Sequence, residues 1–182
     1  MTRIAFVLAD DFEDIEFETP HSTMLRHGLD VDVIGMSPGE VTGKRGSVVQ
    51  IDKTIDDVSA DDYDTLVIPG GYSPDKLRTD DRMVDFVRRF DEREKTIAAI
   101  CHAPSLLIEA GVVDGRTMTS WPSIRTDLRN AGAEVVDREV TVDDHFITSR
   151  NPDDLAAFTD TILATLGDVD PQEVAGDNSF TS

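Results

Sequence analysis

Short apolar runs alternate with amphipathic stretches along most of this chain. Arg3 to Ala9 reads as a buried strand. Residues 15–27 place Ile15, Phe17, Met24 and Leu25 at helical spacing, and Gly28 marks the stop. Val31 to Ile34 is a second strand. Val48 to Ile51 is a short one after a turn at Gly43 and Gly46, and Thr65 to Ile68 is a third buried strand ending in Pro69-Gly70-Gly71. Residues 79–93 predict an amphipathic helix with Met83, Phe86, Val87 and Phe90 on one face. Thr96 to Ile100 is another buried strand, followed by a helix over 105–110 that Gly111 ends. Beyond it the pattern predicts a short strand over 118–121, a helix over 122–131, paired strands at 135–136, 140–142 and 146–148, and a last helix over 152–166.

Strands alternating with helices in this way predict an α/β fold, a mostly parallel sheet with helices on both faces. Residues 1–166 form one domain in this reading, and residues 167–182 form a polar, flexible tail. Ligands of such sheets bind beyond the carboxyl ends of the strands. Three segments should meet there: the acidic turn after Ala9, the Gly70-Gly71 turn, and the segment that follows Ile100.

Composition narrows the setting. A chain of 182 residues suits a single sizeable core. No apolar run reaches the roughly 18 residues that a membrane span needs, so no membrane is expected. Acids follow the first apolar run at once, which argues against a signal peptide. The single cysteine cannot form an internal disulfide, which suits a cytoplasmic protein. The formal net charge is -20, Asp exceeds Glu, and only Lys44, Lys53, Lys76 and Lys95 are lysines. Such a charge repels itself in dilute buffer and is screened within a few ångströms at molar salt. It reads as adaptation to the salt-rich cytoplasm of a halophilic archaeon. Phosphate binding needs the opposite charge, so nucleic acid is excluded as a partner.

The chemistry concentrates at Ala98-Ala99-Ile100-Cys101-His102-Ala103-Pro104. The only cysteine stands where a buried strand stops and a helix starts, with Pro104 suited to the first turn of that helix. A strand-to-helix elbow lifts a nucleophile above a sheet, and a helix N-terminus favours a thiolate. Gly70 and Gly71 permit close backbone approach, and the Gly71 N–H with that of His102 would make an oxyanion hole. Glu13 and Glu16 lie in the acidic turn Asp10-Asp11-Phe12-Glu13-Asp14-Ile15-Glu16. Asp10, Asp11 and Asp14 read as solvated acids. His21, His27 and His145 have no ligand-like spacing, and neither a zinc pattern, a P-loop nor a dinucleotide fingerprint is present. No metal and no cofactor are expected.

The acidic turn, Pro69-Gly70-Gly71-Tyr72-Ser73-Pro74-Asp75 and Ala-Ile-Cys-His-Ala-Pro together resemble the PfpI family, over roughly residues 3–166. Thr119-Ser120-Trp121, Ile124-Arg125 and Asp137-Arg138-Glu139 also match. The resemblance implies a flavodoxin-like sandwich related to class I glutamine amidotransferases, with Cys101 as nucleophile. It implies that Glu16, or its rival Glu13, touches the cysteine, in a protonated state that burial would favour. It implies His102 as base, oriented by Asp75 of a neighbouring subunit, where the better-known protease has Glu. Trp121 stands where the protease relatives carry Tyr, which would narrow the substrate pocket. The family also implies a homo-oligomer, a dimer or hexamer.

Three functions follow from the resemblance. The first is a cofactor-free enzyme acting on small carbonyls or glycated substrates in stress protection, of deglycase or glyoxalase type. The second is an intracellular cysteine peptidase whose triad closes across an oligomer interface. The third is a redox sensor or chaperone in which Cys101 is oxidised.

Overall fold

The structure is a computed structural model and describes residues 2–167. Apart from Gly167, the tail expected over 167–182 lies outside the described residues. Strand β1 (Arg3–Val7) passes through the acidic loop into helix α1 (Asp14–Arg26) and then strand β2 (Asp30–Gly35). A hairpin of β3 (Glu40–Thr42) and β4 (Val48–Gln50) precedes the short β5 (Lys53–Thr54). Strand β6 (Thr65–Ile68) is followed by helices α2 (Ser73–Leu77) and α3 (Asp81–Glu92). Strand β7 (Thr96–Ile100) leads into α4 (Pro104–Ala110), then β8 (Thr117–Met118), α5 (Arg125–Asn130) and β9 (Glu134–Val135). Strands β10 (Thr141–Asp143) and β11 (Phe146–Ser149) precede α6 (Leu155–Thr165).

The main sheet has the order β10-β11-β7-β6-β1-β2-β5. Its pairs are parallel except for β10 with β11 at one edge. Its central strands are continuous apolar runs because helices cover both faces. The period of two then sorts the side chains between those faces. Ala5 and Val7 join the layer that holds Phe86, Phe90 and Leu106 of α3 and α4. Ile4, Phe6 and Leu8 join the opposite layer, with Phe17 of α1 and Phe158 and Ile162 of α6. The fold is thus the mostly parallel, doubly covered α/β sheet that the alternation predicts, and the flavodoxin-like sandwich that the resemblance implies.

Several local expectations change. The helix expected over 79–93 starts at Asp81, because the Asp80 carboxylate accepts the Arg82 N–H at 2.9 Å and caps it. Helix α2, too short to show a period, was not expected. The segment 48–51 does not enter the main sheet, since β4 pairs antiparallel with β3. The strand expected over 118–121 stops at Met118. Its continuation turns inward, with the Thr119 N–H on Thr148 Oγ1 and the Trp121 N–H on Cys101 O, each at 3.0 Å. The strand around Val135 pairs with β8 in a small parallel sheet, not with the β10 segment. The first three residues of the helix expected over 122–131 form a tighter 3₁₀ turn.

Candidate active site

The strand order reverses at β1, which has β2 on one side and β6 on the other. The crevice at such a reversal is where open α/β sheets bind ligands. Here the loop after β1 is stitched to the turn after β6. Phe12 and Gly71 form an antiparallel bridge, the Glu13 N–H reaches Gly70 O at 3.1 Å, and the Tyr72 N–H reaches Asp11 O at 2.8 Å. Gly71 has φ +77°, and a Cβ there would strike the Glu13 nitrogen. Only glycine permits both the dihedral and the approach.

Cys101 follows β7 directly and has φ +64°, in the left-handed region that a side chain disfavours. Its backbone is held from two sides: its N–H bonds to Ser149 O, and its carbonyl accepts the Trp121 N–H, both at 3.0 Å. These bonds hold the elbow and turn the sulfur out of the strand, with 6% of the residue exposed. Burial pushes the thiol well above its ordinary range, and an ionised Glu16 would push it further. The backbone N–H groups of His102 and Gly71 act the other way by donating toward the sulfur. The two N–H groups expected to form an oxyanion hole therefore face the Cys101 sulfur.

Glu16 comes from the first turn of α1 and is fully buried. Its Oε1 accepts the Gly70 N–H at 2.9 Å. Its Oε2 is buried and has no hydrogen-bond partner, and the carboxyl as a whole interacts with the Cys101 thiol. Burial raises its pKa to about 8, and the negative charge of Glu13 adds to that. A proton on Glu16 spares this corner two adjacent negative charges and gives the carboxyl a donor. A Cβ on Gly70 would stand 2.5 Å from Glu16 Oε1 and 2.8 Å from Cys101 Cβ, so this glycine is what lets the two meet.

Glu13 does not compete for the thiol contact. It is held by Arg45 Nε at 2.9 Å and Lys44 Nζ at 3.3 Å. Both cations sit at the tip of the β3–β4 hairpin, a contribution to the site that the sequence reading missed. The one signal was a basic pair between two turn glycines in a strongly acidic chain. Asp14 was expected to be a solvated acid; it is 4% exposed and anchors that tip. It accepts the Arg45 N–H at 2.8 Å and the Ser47 N–H at 2.9 Å. Burial alone would raise its pKa, but the bonds from Ser47 and Arg45 outweigh it and hold the carboxyl below its usual range. Asp10 and Asp11 are exposed as expected, though Asp11 pairs with Lys76 at 2.7 Å.

His102 is half-buried, and its ring stacks on Trp121 at 6.0 Å between centroids with 28° between planes. Burial, helped by the nearby Lys44 ammonium, lowers its pKa. No hydrogen bond joins its ring to any described residue. Asp75 lies on α2, exposed, and forms no contact with His102 within the chain. The structure thus brings Cys101, Glu16, Gly70, Gly71, His102 and Trp121 into one cluster, with Glu13 at its edge, and leaves Asp75 apart. Among the described residues no group of three or more His, Cys, Asp or Glu side chains is arranged to hold a metal. No helix among them is long and apolar enough to cross a membrane.

Comparison with known proteins agrees with this geometry. The model of the DJ-1/PfpI family matches residues 2–165. An Escherichia coli protein named protein/nucleic acid deglycase 2 is 47% identical over 168 residues, covering 91% of this chain and 98% of its own. A Bacillus subtilis protein, YraA, whose name assigns it provisionally to the cysteine proteases, is 49% identical over 157 residues, covering 86% and 93%. The crystal structure of Drosophila melanogaster DJ-1beta superposes with a TM-score of 0.89 at 31% identity, over 96% of this chain and 95% of that one.

Proposed function

This chain belongs to the DJ-1/PfpI family, and from that premise we propose that it is a cysteine-dependent enzyme acting on reactive carbonyls, of the deglycase or cofactor-free glyoxalase type. One observation carries the reading: the fully buried Glu16 carboxyl, its Oε2 without a hydrogen-bond partner, interacts with the Cys101 thiol. A lone thiolate with an adjacent carboxylic acid is sufficient for carbonyl chemistry and needs no third group.

The reactive form has the thiolate on Cys101 and the proton on Glu16. Two-carbonyl aldehydes such as methylglyoxal are the simplest substrates. The thiolate adds to the aldehyde carbon, and the carbonyl electron pair moves to oxygen. The Gly71 and His102 N–H groups stabilise that oxygen, and Glu16 protonates it. The Glu16 carboxylate then takes the proton from the same carbon, forming an enediol, and returns it to the neighbouring carbon. The product is a lactoyl thioester on Cys101. Water cleaves it to lactate and restores the thiol, so methylglyoxal plus water gives lactate. Deglycation begins one step differently: the thiolate bonds to the hemiaminal or hemithioacetal carbon of an existing adduct, the C–N or C–S bond to the glycated amine or thiol breaks, and Glu16 gives its proton to that leaving group.

A second reading is the intracellular cysteine peptidase. It is favoured by the His102 ring, which has no hydrogen-bond partner within the described residues and so leaves a nitrogen available to a carboxylate of another copy. Asp75 is the exposed carboxylate assigned to that role, and this reading needs a homo-oligomer.

The deciding experiment compares wild type with Cys101→Ala at molar salt, assaying lactate from methylglyoxal and cleavage of a fluorogenic peptide. Lactate formation that disappears in the variant supports the carbonyl enzyme. Peptide cleavage without lactate formation, restricted to the oligomer, supports the peptidase.

A further inference from the structure

The hairpin tip brings a cation to the crevice that the carbonyl chemistry above does not use. Gly43-Lys44-Arg45-Gly46 is fastened to the loop after β1 by several bonds. The Lys44 N–H reaches Phe12 O at 2.9 Å, the Asp11 N–H reaches Thr42 O at 2.8 Å, and Asp14 takes the Arg45 and Ser47 N–H groups. A Cβ on Gly43 would collide with the Asp14 carboxylate, so the approach is as close as the backbone allows. The position of Lys44 is therefore set by buried contacts and not by its own side chain.

That side chain is under-used. An ammonium has three donors, and Lys44 makes one hydrogen bond, 3.3 Å to Glu13 Oε2. Glu13 is already served at 2.9 Å by Arg45 on its other oxygen. The remaining lysines are committed elsewhere: Lys53 to Asp32 at 3.0 Å, Lys76 to Asp11 at 2.7 Å, and Lys95 to the carbonyls of Ala60 and Tyr63. Lys44 Nζ instead hovers 5.1 Å from the centroid of the Tyr72 ring. Tyr72 directly follows Gly71, whose N–H faces the Cys101 sulfur, and is one of the few large side chains left 59% exposed. The field of Lys44 also reaches both Glu16 and His102.

We propose that Lys44 is a substrate-recognition residue, and that the electrophile attacked by Cys101 carries a carboxylate near the reacting carbon, which the Lys44 ammonium holds. The proposal rests on Cys101 being the nucleophile of the preceding reading and specifies its substrate class. Glu13 offers Lys44 only one oxygen, at 3.3 Å, while its other oxygen goes to Arg45. Tyr72 holds the ammonium by its ring face without using a donor. In a chain of net charge -20, an anion meets repulsion almost everywhere, so one half-exposed cation at the nucleophile discriminates strongly between charged and neutral substrates.

The test uses two reagents of one shape, iodoacetate and iodoacetamide, which differ in one charge and alkylate the thiol without needing turnover. Rates at Cys101 are measured in molar KCl, where the Debye length is about 3 Å and only direct contact survives. The quantity read is the iodoacetate-to-iodoacetamide rate ratio, relative to that of a free thiol such as N-acetylcysteine in the same buffer. Wild type should exceed the free thiol by roughly tenfold, the scale of one charge-assisted hydrogen bond. Lys44→Met should bring the ratio down to the free-thiol value, and Lys44→Arg should restore most of it. A ratio unchanged in Lys44→Met, or a wild-type ratio no higher than the free thiol's, overturns the proposal. Absence of lactate formation alongside an intact iodoacetate preference would sink the carbonyl reaction and leave the anion subsite standing.

Discussion

Glu16 reaches from the first turn of α1 to the thiol of Cys101, and the two groups cannot both ionise in the corner they share. Each negative charge raises the cost of the other, and burial raises both. The pair titrates as a unit, so its first proton belongs to the corner and not to one residue.

The pH dependence of stability follows from Glu16. Its pKa is about 8 in the folded chain against an ordinary 4.5. Below pH 4.5 both folded and unfolded states hold the proton, and the contribution is full. Between 4.5 and about 8 only the folded state holds it, so stability falls as pH rises, by about 1.4 kcal/mol per unit. Glu16→Gln removes this term. Denaturant melts from pH 5.5 to 7.5 should show the variant gaining on wild type at about that slope. A constant difference between the two would falsify the raised pKa.

Gly70→Ala tests whether the glycine is what lets Glu16 and Cys101 meet. The added methyl contacts Glu16 Oε1, Cys101 Cβ and Ile100 O within 2.9 Å. Overpacking of this kind costs about 1–3 kcal/mol. The variant should also slow Cys101 alkylation, because the carboxyl must move away. Alkylation at the wild-type rate in a destabilised variant would separate packing from reactivity.

Trp121→Ala should release the His102 ring. Burial, the main cause of its lowered pKa, diminishes once the stacked indole is gone. An NMR titration should place the wild-type midpoint below the ordinary imidazole range and move it upward in the variant. A midpoint that stays put assigns the shift to the Lys44 charge.

Asp14→Ala should cost about 3 kcal/mol, because two backbone N–H groups lose a buried carboxylate. Hydrogen exchange should localise the loss, with the Arg45 and Ser47 amides unprotected while the β7 amides stay protected. Uniform loss of protection would mean that the tip is not separately anchored.

The charge of -20 should make stability depend on salt. Mutual repulsion fades as the Debye length shortens, and each kcal/mol regained moves Tm by about 2–4 °C at this chain length. Tm should rise steadily from 0.1 to 2 M KCl as the repulsion is screened. A flat response would mark the chain as merely acidic.

Apolar strands alternating with amphipathic helices determined that the sheet is mostly parallel and covered on both sides, because helical crossovers between parallel strands lie over both faces. The elbow position of Cys101 was legible as well, since it followed a buried strand and preceded a proline suited to a helix start. Partners set by distance in space were not legible. Glu16 was favoured for the thiol contact by resemblance, with Glu13 left as its rival one helical turn earlier. The fold separated them by giving Glu13 to Lys44 and Arg45 and turning Glu16 under Gly70, where burial keeps its proton. Asp14 resembled its exposed neighbours Asp10 and Asp11 until the β3–β4 hairpin folded over it. That hairpin is three residues to a strand, too short for its period to show, and the basic tip it brings to the crevice lies some thirty positions from the acids it meets. Local patterns record what a residue buries against its own element. The charge state of a side chain depends on which distant groups surround it, and only the tertiary structure decides that.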